Sequence, residues 1–138
     1  MKSKMKRLSS IVLIIAVICS SFALISYANN EFKESGEKLT YIDSYKGDID
    51  HGILTTTVTA KIVGKSTVTS VKIKMELQKL SSGSYSTIET WEQTFYDSYG
   101  SMEKSKLTNP FGTYRLKATF TAYSGSNSET KTLYVNAN

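Results

Sequence analysis

His51 is the one histidine in the chain and the residue best suited to act as a general base. It lies in Gly47-Asp48-Ile49-Asp50-His51-Gly52, which we predict to be a polar connection between the first two strands, with Asp50 as a group that could orient the ring. No serine lies in a nucleophile-elbow motif, and the glycines on both sides of His51 favour a solvated turn. We therefore predict no catalytic residues and a protein that is not an enzyme.

Three carboxylates near His51, those of Asp43, Asp48 and Asp50, are oxygen ligands of the kind that calcium prefers. Calcium takes about six to eight oxygens, and the spacing of these residues differs from that of an EF-hand loop. We interpret them as acidic residues that keep a loop over residues 43–52 soluble, with calcium binding as the alternative. A zinc site needs several histidine or cysteine ligands, so we predict neither a metal nor a cofactor.

Aromatic side chains offer a different chemistry, because rings that stack on sugars are a common binding device of exported sandwiches. Tyr96-Asp97-Ser98-Tyr99-Gly100 places two tyrosines in or beside one connection, and Trp91 lies shortly before it. We predict Tyr96, Tyr99 and Trp91 as a possible ligand surface. The alternatives are that Trp91 belongs to the core and that the tyrosines cap the end of the fold.

The first 28 residues have the order of a cleavable export signal. Lys2, Lys4, Lys6 and Arg7 precede an apolar run over residues 11–18, and Ser26-Tyr27-Ala28 then supplies small residues at a cleavage site after Ala28. An uncleaved anchor would need about 20 consecutive apolar residues, and lipidation of Cys19 would need a small residue in place of Ile18. We therefore predict a secreted, cysteine-free mature domain with no membrane anchor.

Cleavage also changes the charge of the protein. The chain has 17 basic and 12 acidic residues, and four of the basic ones but none of the acidic ones lie in residues 1–28. The mature chain is thus nearly neutral, and we exclude nucleic acid as a partner. Lys61, Lys72 and Lys74 could contact an anionic polymer or a membrane surface, but Glu76 favours a merely soluble outer face.

The mature chain is long enough for one domain. Residues 29–38 have little to bury and are predicted to be a flexible lead, while residues 39–138 form the domain. Alternation with period two, as in Val71, Ile73, Met75 and Leu77, indicates strands with one buried face. The series Leu54, Thr56, Val58, Ala60, Ile62 alternates in the same way.

Turn residues divide the domain into seven predicted strands of an all-β antiparallel sandwich, near residues 39–45, 54–63, 70–80, 85–96, 102–107, 112–123 and 129–135. Tyr99-Gly100-Ser101 is interpreted as one of the turns. In the fourth strand Ile88 is out of phase with Trp91 and Phe95, which predicts a bulge or bend.

The run Asn109-Pro110-Phe111-Gly112-Thr113-Tyr114-Arg115-Leu116 resembles the corner before the sixth strand of immunoglobulin-like sandwiches. In that family a glycine permits the turn, and a tyrosine two residues later returns its hydroxyl to the preceding connection; Gly112 and Tyr114 match these positions. Leu116 stands where antibody-type domains have a cysteine, so the resemblance implies the fold without its disulfide. Tyr114 is expected to begin a buried face and to bond near Thr108 and Asn109.

The stretch from Val71 to Val135 also resembles small exported immunoglobulin-like proteins of Gram-positive bacteria, to which no established activity attaches. Two functions remain open. The first is a non-enzymatic extracellular binding or structural module for a wall polymer, glycan or protein. The alternative is a small secreted antimicrobial or competition effector, suggested by the small size of the chain.

We predict that the exported protein begins at Asn29, because Ser26 and Ala28 are the small residues that follow the apolar run. N-terminal sequencing of the secreted protein tests this. An intact segment 1–28, or a lipid on Cys19, would show that the chain is anchored instead.

Overall fold

The structure is a computed structural model and describes residues 38–138. In this part of the chain every regular element is a strand, and the bounds are β1 (Ile42–His51), β2 (Thr55–Gly64), β3 (Ser70–Ser81), β4 (Ser84–Phe95), β5 (Tyr99–Leu107), β6 (Tyr114–Ser124) and β7 (Asn127–Asn136). The prediction of an all-β domain with seven antiparallel strands is confirmed. Within the same residues, no helix is long and apolar enough to cross a membrane.

The strands form two sheets that pack against each other. One sheet has the order β1-β2-β5 and the other has the order β4-β3-β6-β7, with every neighbouring pair antiparallel. β1 packs against β6 and β7, while β5 packs against β3 and β4. The edge strands β1 and β7 therefore share one open side of the sandwich, and β4 and β5 share the other.

The connections separate into two groups at opposite ends of the sandwich. Residues 52–54, 82–83 and 108–113 lie at one end, which we call the tip, and residues 65–69, 96–98 and 125–126 lie at the other, which we call the base. The chain enters the domain at the base, because β1 runs from the base to the tip.

The core follows the period-two pattern of the sequence. Val71, Ile73, Met75 and Leu77 of β3 are completely buried, as are alternate residues of β2 and β6. Across the two sheets, the rings of Tyr45 and Phe120 lie 5.2 Å apart in a tilted arrangement. Tilted aromatic pairs contribute beyond the apolar area that they bury.

The irregularity predicted for the fourth strand is confirmed as a β-bulge. Leu77 pairs with Glu89 and Gln78 pairs with Thr87, so Ile88 has no partner on β3. The extra residue resets the alternation, and Ile88 packs against the core together with Trp91 and Phe95.

The predicted loop over residues 43–52 was wrong. β1 extends through this segment to His51, and Asp48, Asp50 and His51 pair with residues of β2. Gly47 lies within the strand. It is a glycine because a Cβ at this position would approach the side chains of Leu133 and Leu116 to 3.2 and 3.3 Å. The predicted first strand therefore began and ended too early.

The predicted turn at Tyr99-Gly100-Ser101 was also wrong, because these residues begin β5. A Cβ on Gly100 would lie 2.6 Å from the ring of Phe95, so the glycine permits close packing inside a strand. Leu54 was expected to begin the buried face of the second strand, but it lies before β2 and is largely exposed.

A carboxylate fixes the chain where it enters the base. Glu129 of β7 accepts hydrogen bonds from the backbone N–H groups of Thr40, Tyr41 and Ile42 at 3.0, 2.7 and 2.8 Å. Burial raises the pKa of Glu129, but the hydrogen bonds from Ile42, Thr40 and Tyr41 outweigh it and hold the pKa below its ordinary value.

The proposed export signal over residues 1–28, its cleavage site at Ala28, Cys19 and most of the lead over residues 29–38 lie outside the residues that the structure describes. The cleavage site and the compartment stay predictions.

We predict that Glu129→Gln lowers the free energy of unfolding by about 1–3 kcal/mol, because an uncharged amide replaces a carboxylate that accepts three hydrogen bonds. Folding lowers the pKa of Glu129, so its contribution is full above the pKa of an unfolded glutamate, about 4.3, and is lost as the pH falls through the folded-state pKa. Denaturant unfolding of the parent between about pH 3 and 7 should show this loss, and Glu129→Gln should reduce it.

Glu103→Gln is the matched control, because this exposed carboxylate accepts only a 3.4 Å hydrogen bond from Thr59. Equal pH dependence in the parent and in Glu129→Gln would contradict the assignment.

Candidate functional site

Large apolar side chains project into solvent at the tip of the sandwich. Ile53 and Leu54 come from the turn between β1 and β2, Leu107 ends β5, and Phe111 lies in the connection between β5 and β6. Their exposed fractions are 81%, 65%, 79% and 95%. We call these four residues the apolar tip.

The pairing of β2 with β5 brings the two parts of the apolar tip together. Thr55 pairs with Leu107, and the backbone N–H of Thr108 donates to the carbonyl of Leu54 at 3.0 Å. Leu54 and Leu107 therefore occupy neighbouring strand ends.

His51 joins the same two connections by its side chain. Its Nδ1 lies 2.7 Å from Oγ1 of Thr56, its Nε2 lies 3.3 Å from the carbonyl oxygen of Pro110, and Oγ1 of Thr56 lies 2.7 Å from Oγ1 of Thr108. A carbonyl only accepts, so Nε2 donates to Pro110. In the neutral ring Nδ1 then accepts from Thr56, whose oxygen accepts from Thr108. We call this chain of hydrogen bonds the histidine clamp.

Gly112 and Tyr114, the residues of the predicted corner, stabilise the connection between β5 and β6. The hydroxyl of Tyr114, whose side chain is buried, accepts a 3.1 Å hydrogen bond from the backbone N–H of Asn109. The ring of Tyr114 packs against that of His51 with 4.8 Å between centroids. A Cβ on Gly112 would lie 2.5 Å from the Tyr114 ring, so this position requires glycine.

Asn109 completes the local hydrogen bonding of the connection. Its side-chain oxygen accepts from the N–H of Phe111 at 2.9 Å, and its carbonyl accepts from the N–H of Gly112 at 3.0 Å. Phe111 is thus exposed on a turn whose backbone is held by hydrogen bonds on both sides of this residue.

The partners of His51 differ from those expected from the sequence. Asp50, considered from the sequence as the group that orients His51, is exposed on β1, and the ring nitrogens instead contact Thr56 and Pro110. The hydroxyl nearest to His51 belongs to Thr56, which is completely buried. The contacts of His51 therefore link the turn after β1 to the connection between β5 and β6.

The carboxylates of Asp43, Asp48 and Asp50 are spread along β1 instead of surrounding a loop. From Asp43 to Asp50 a strand extends roughly 23 Å, and Asp48 accepts from the N–H of Ile49 at 3.0 Å. Between residues 38 and 138, no three His, Cys, Asp or Glu side chains are grouped so that they could hold a metal ion.

The three aromatic residues predicted as a ligand surface do not share a face. Trp91 is opposite Met75 on β4 and packs partly against the core. Tyr99 lies opposite Val63 on the outer face of the other sheet, and Tyr96 is 91% exposed in the connection between them. The two tyrosines are accessible at the base, while Trp91 contributes mainly to packing.

A second aromatic arrangement on the outer face of the four-stranded sheet was not predicted. The guanidinium of Arg115 lies 3.9 Å from the ring centroid of Tyr85 and 4.7 Å from that of Tyr134, and its Nε donates to Gln78 at 2.7 Å. These residues come from all four strands of the sheet, so the cation–π contacts and the hydrogen bond connect the strands across its outer face. The sequence feature that could have indicated this arrangement is the position of Arg115, which alternates with the buried residues of β6 and therefore faces outward.

The lysines of the predicted charged series lie on different sheets. Lys61 belongs to β2, whereas Lys72 and Lys74 belong to β3. On β3, Lys72 approaches Glu92 to 3.9 Å, and Glu76 pairs with Lys117 of β6 at 3.1 Å.

Comparison of the chain with models of protein families, with curated proteins and with solved structures found no match. Its function is therefore inferred from its own residues.

We predict that Tyr114→Phe costs about 0.5–1.5 kcal/mol of stability, because the N–H of Asn109 loses its acceptor. Tyr114→Ala should cost about 3–5 kcal/mol, because a buried ring is lost. Chemical denaturation measures both, with Tyr96→Ala as a control that removes an exposed ring and should change stability by less than about 0.5 kcal/mol. Parent-like stability of both Tyr114 variants would show that the corner contributes nothing.

Proposed function

We propose that this protein is an exported, non-enzymatic extracellular binding module with an immunoglobulin-like sandwich, and that the apolar tip contacts its ligand. The observation that carries the proposal is the exposure of Ile53, Leu54, Leu107 and Phe111 on two connections that are hydrogen-bonded to each other.

The strand order supports the immunoglobulin-like assignment. Constant-type domains of that family place the first, second, fifth and fourth strands in one sheet and the third, sixth and seventh in the other. Here the sheets are β1-β2-β5 and β4-β3-β6-β7, so only the edge strand β4 has changed sheets. The hydrogen bond of Tyr114 to the preceding connection supports the same assignment.

The size and rigidity of the apolar tip support a binding role. The four residues are 65–95% exposed and lie on or beside two turns that are hydrogen-bonded to each other, and large exposed apolar patches on monomers are often functional. The histidine clamp and the Tyr114 bond order both turns before any ligand arrives, so less entropy is lost on binding.

The chemistry of the apolar tip also restricts the ligand. Wall polymers and glycans present hydroxyl groups and charges, whereas residues 52–54 and 107–114 carry no charged side chain. An apolar or amphipathic ligand matches this surface best. The tyrosines at the base, Tyr96 and Tyr99, are the competing surface for a sugar.

Two double variants test which surface binds the ligand, the apolar tip or the tyrosines at the base. We expect Leu54→Ser with Phe111→Ser to release the protein from washed producing cells, because the binding surface loses its two turn anchors. Tyr96→Ser with Tyr99→Ser removes two exposed rings at the base and should leave retention unchanged. Immunodetection in washed-cell and medium fractions measures retention, and denaturation confirms that both variants are folded.

Release of the Tyr96 and Tyr99 double variant, with the Leu54 and Phe111 double variant still retained, would assign binding to the tyrosines. Parent protein found free in the medium, together with growth inhibition of neighbouring cells, would favour the effector.

A further inference from the structure

We propose that the apolar tip docks on a lipid bilayer, with Ile53, Leu54, Leu107 and Phe111 inserted into its interfacial region. This inference rests on the proposed function and names the ligand class of the same surface. It would make the protein a peripheral membrane protein whose long axis stands away from the bilayer.

The shape of the site favours a deformable partner. The four side chains lie on or beside two turns that protrude from one end of the sandwich. A protruding apolar group needs a matching cavity in a protein, whereas lipid chains rearrange around it.

Several backbone groups of the two turns are paired within the protein, which lowers the cost of placing them close to hydrocarbon. The N–H of Gly52 donates to Thr55 at 2.9 Å, and the carbonyl of Leu54 accepts from Thr108. Phe111 donates its N–H to Asn109, and Pro110 has no N–H while its carbonyl accepts from His51. These hydrogen bonds reduce the number of unpaired backbone groups that the apolar tip carries into the interfacial region.

The charges behind the apolar tip fit the polar layer of a membrane. Lys106 and Lys104 lie one and three residues before Leu107 on β5, so the more distant cation is roughly 10 Å from the end of the strand. Lys104 is exposed, whereas Lys106 pairs with Glu89 at 2.7 Å. Asp50 on β1 lies at the same end and opposes them. Apolar insertion therefore supplies most of the affinity, and anionic headgroups add a smaller part.

The area of the apolar tip argues against a second copy of the chain as its occupant. A stable protein interface buries about 800 Å² on each partner and involves about 20 residues or more a side, whereas the apolar tip consists of four residues on or beside two turns. Two protruding tips also contact each other over only part of that surface. Insertion into lipid covers each side chain from all sides.

Tryptophan scanning of the exported chain with vesicles tests the inference. Phe111 and Tyr96 are 95% and 91% exposed at opposite ends of the sandwich, so Phe111→Trp and Tyr96→Trp form a matched pair. With phosphatidylcholine vesicles, the emission of Phe111→Trp should shift to shorter wavelength, and that of Tyr96→Trp should not. The parent, which contains only Trp91, supplies the background.

Co-sedimentation gives the affinity. Leu54→Ser with Phe111→Ser should weaken binding to vesicles by about tenfold or more, since two anchors no longer enter the lipid. Adding phosphatidylglycerol should strengthen binding of the parent by a smaller factor. The Tyr96→Ser and Tyr99→Ser double variant should bind like the parent.

Three results would overturn the inference. Absence of vesicle binding, with retention on cells still dependent on the apolar tip, removes the lipid partner and leaves the proposed function standing. A spectral shift of Phe111→Trp that depends on protein concentration without vesicles identifies a second copy as the occupant. If the serine variants change neither vesicle binding nor cell retention, the inference and the proposed function both fail.

Discussion

The fold depends on side-chain packing between two sheets that no disulfide joins, since residues 38–138 contain no cysteine. Immunoglobulin domains with a disulfide fix the sheet spacing by that bond. Here the spacing is set by how closely the side chains interlock. Gly47 leaves room for Leu116 and Leu133, and Gly100 leaves room for Phe95. The two glycines are as much a part of the core as the large residues they face.

The period-two alternation of the sequence predicted the strands and most of their buried faces. The alternation in β3 located its buried face, and the phase change at Ile88 located the bulge. The errors have a common physical cause, since glycine marks both tight turns and positions where neighbouring sheets approach closely. Gly47 and Gly100 were interpreted as turn residues, and only the packing of the other sheet shows which role they have.

The candidate site was not predicted, because it depends on where strands end and which ends meet. Leu54 continues the apolar alternation of β2 in the sequence, yet the strand begins one residue later and leaves it in solvent. Leu107 is more than 50 residues away in the chain and becomes its neighbour only through the pairing of β2 with β5. Conversely, Trp91 and Tyr99 are close in sequence but face different sides of different sheets.

The bulge at Ile88 has a consequence for how copies of the protein behave toward one another. β4 is an edge strand, and a long regular edge offers its free N–H and C=O groups to a strand of another molecule. The extra residue divides that edge into two shorter pieces with different registers, so a foreign strand cannot pair along its whole length. The bulge that turns Ile88 toward the core therefore also opposes polymerisation of the molecule through the edge of β4.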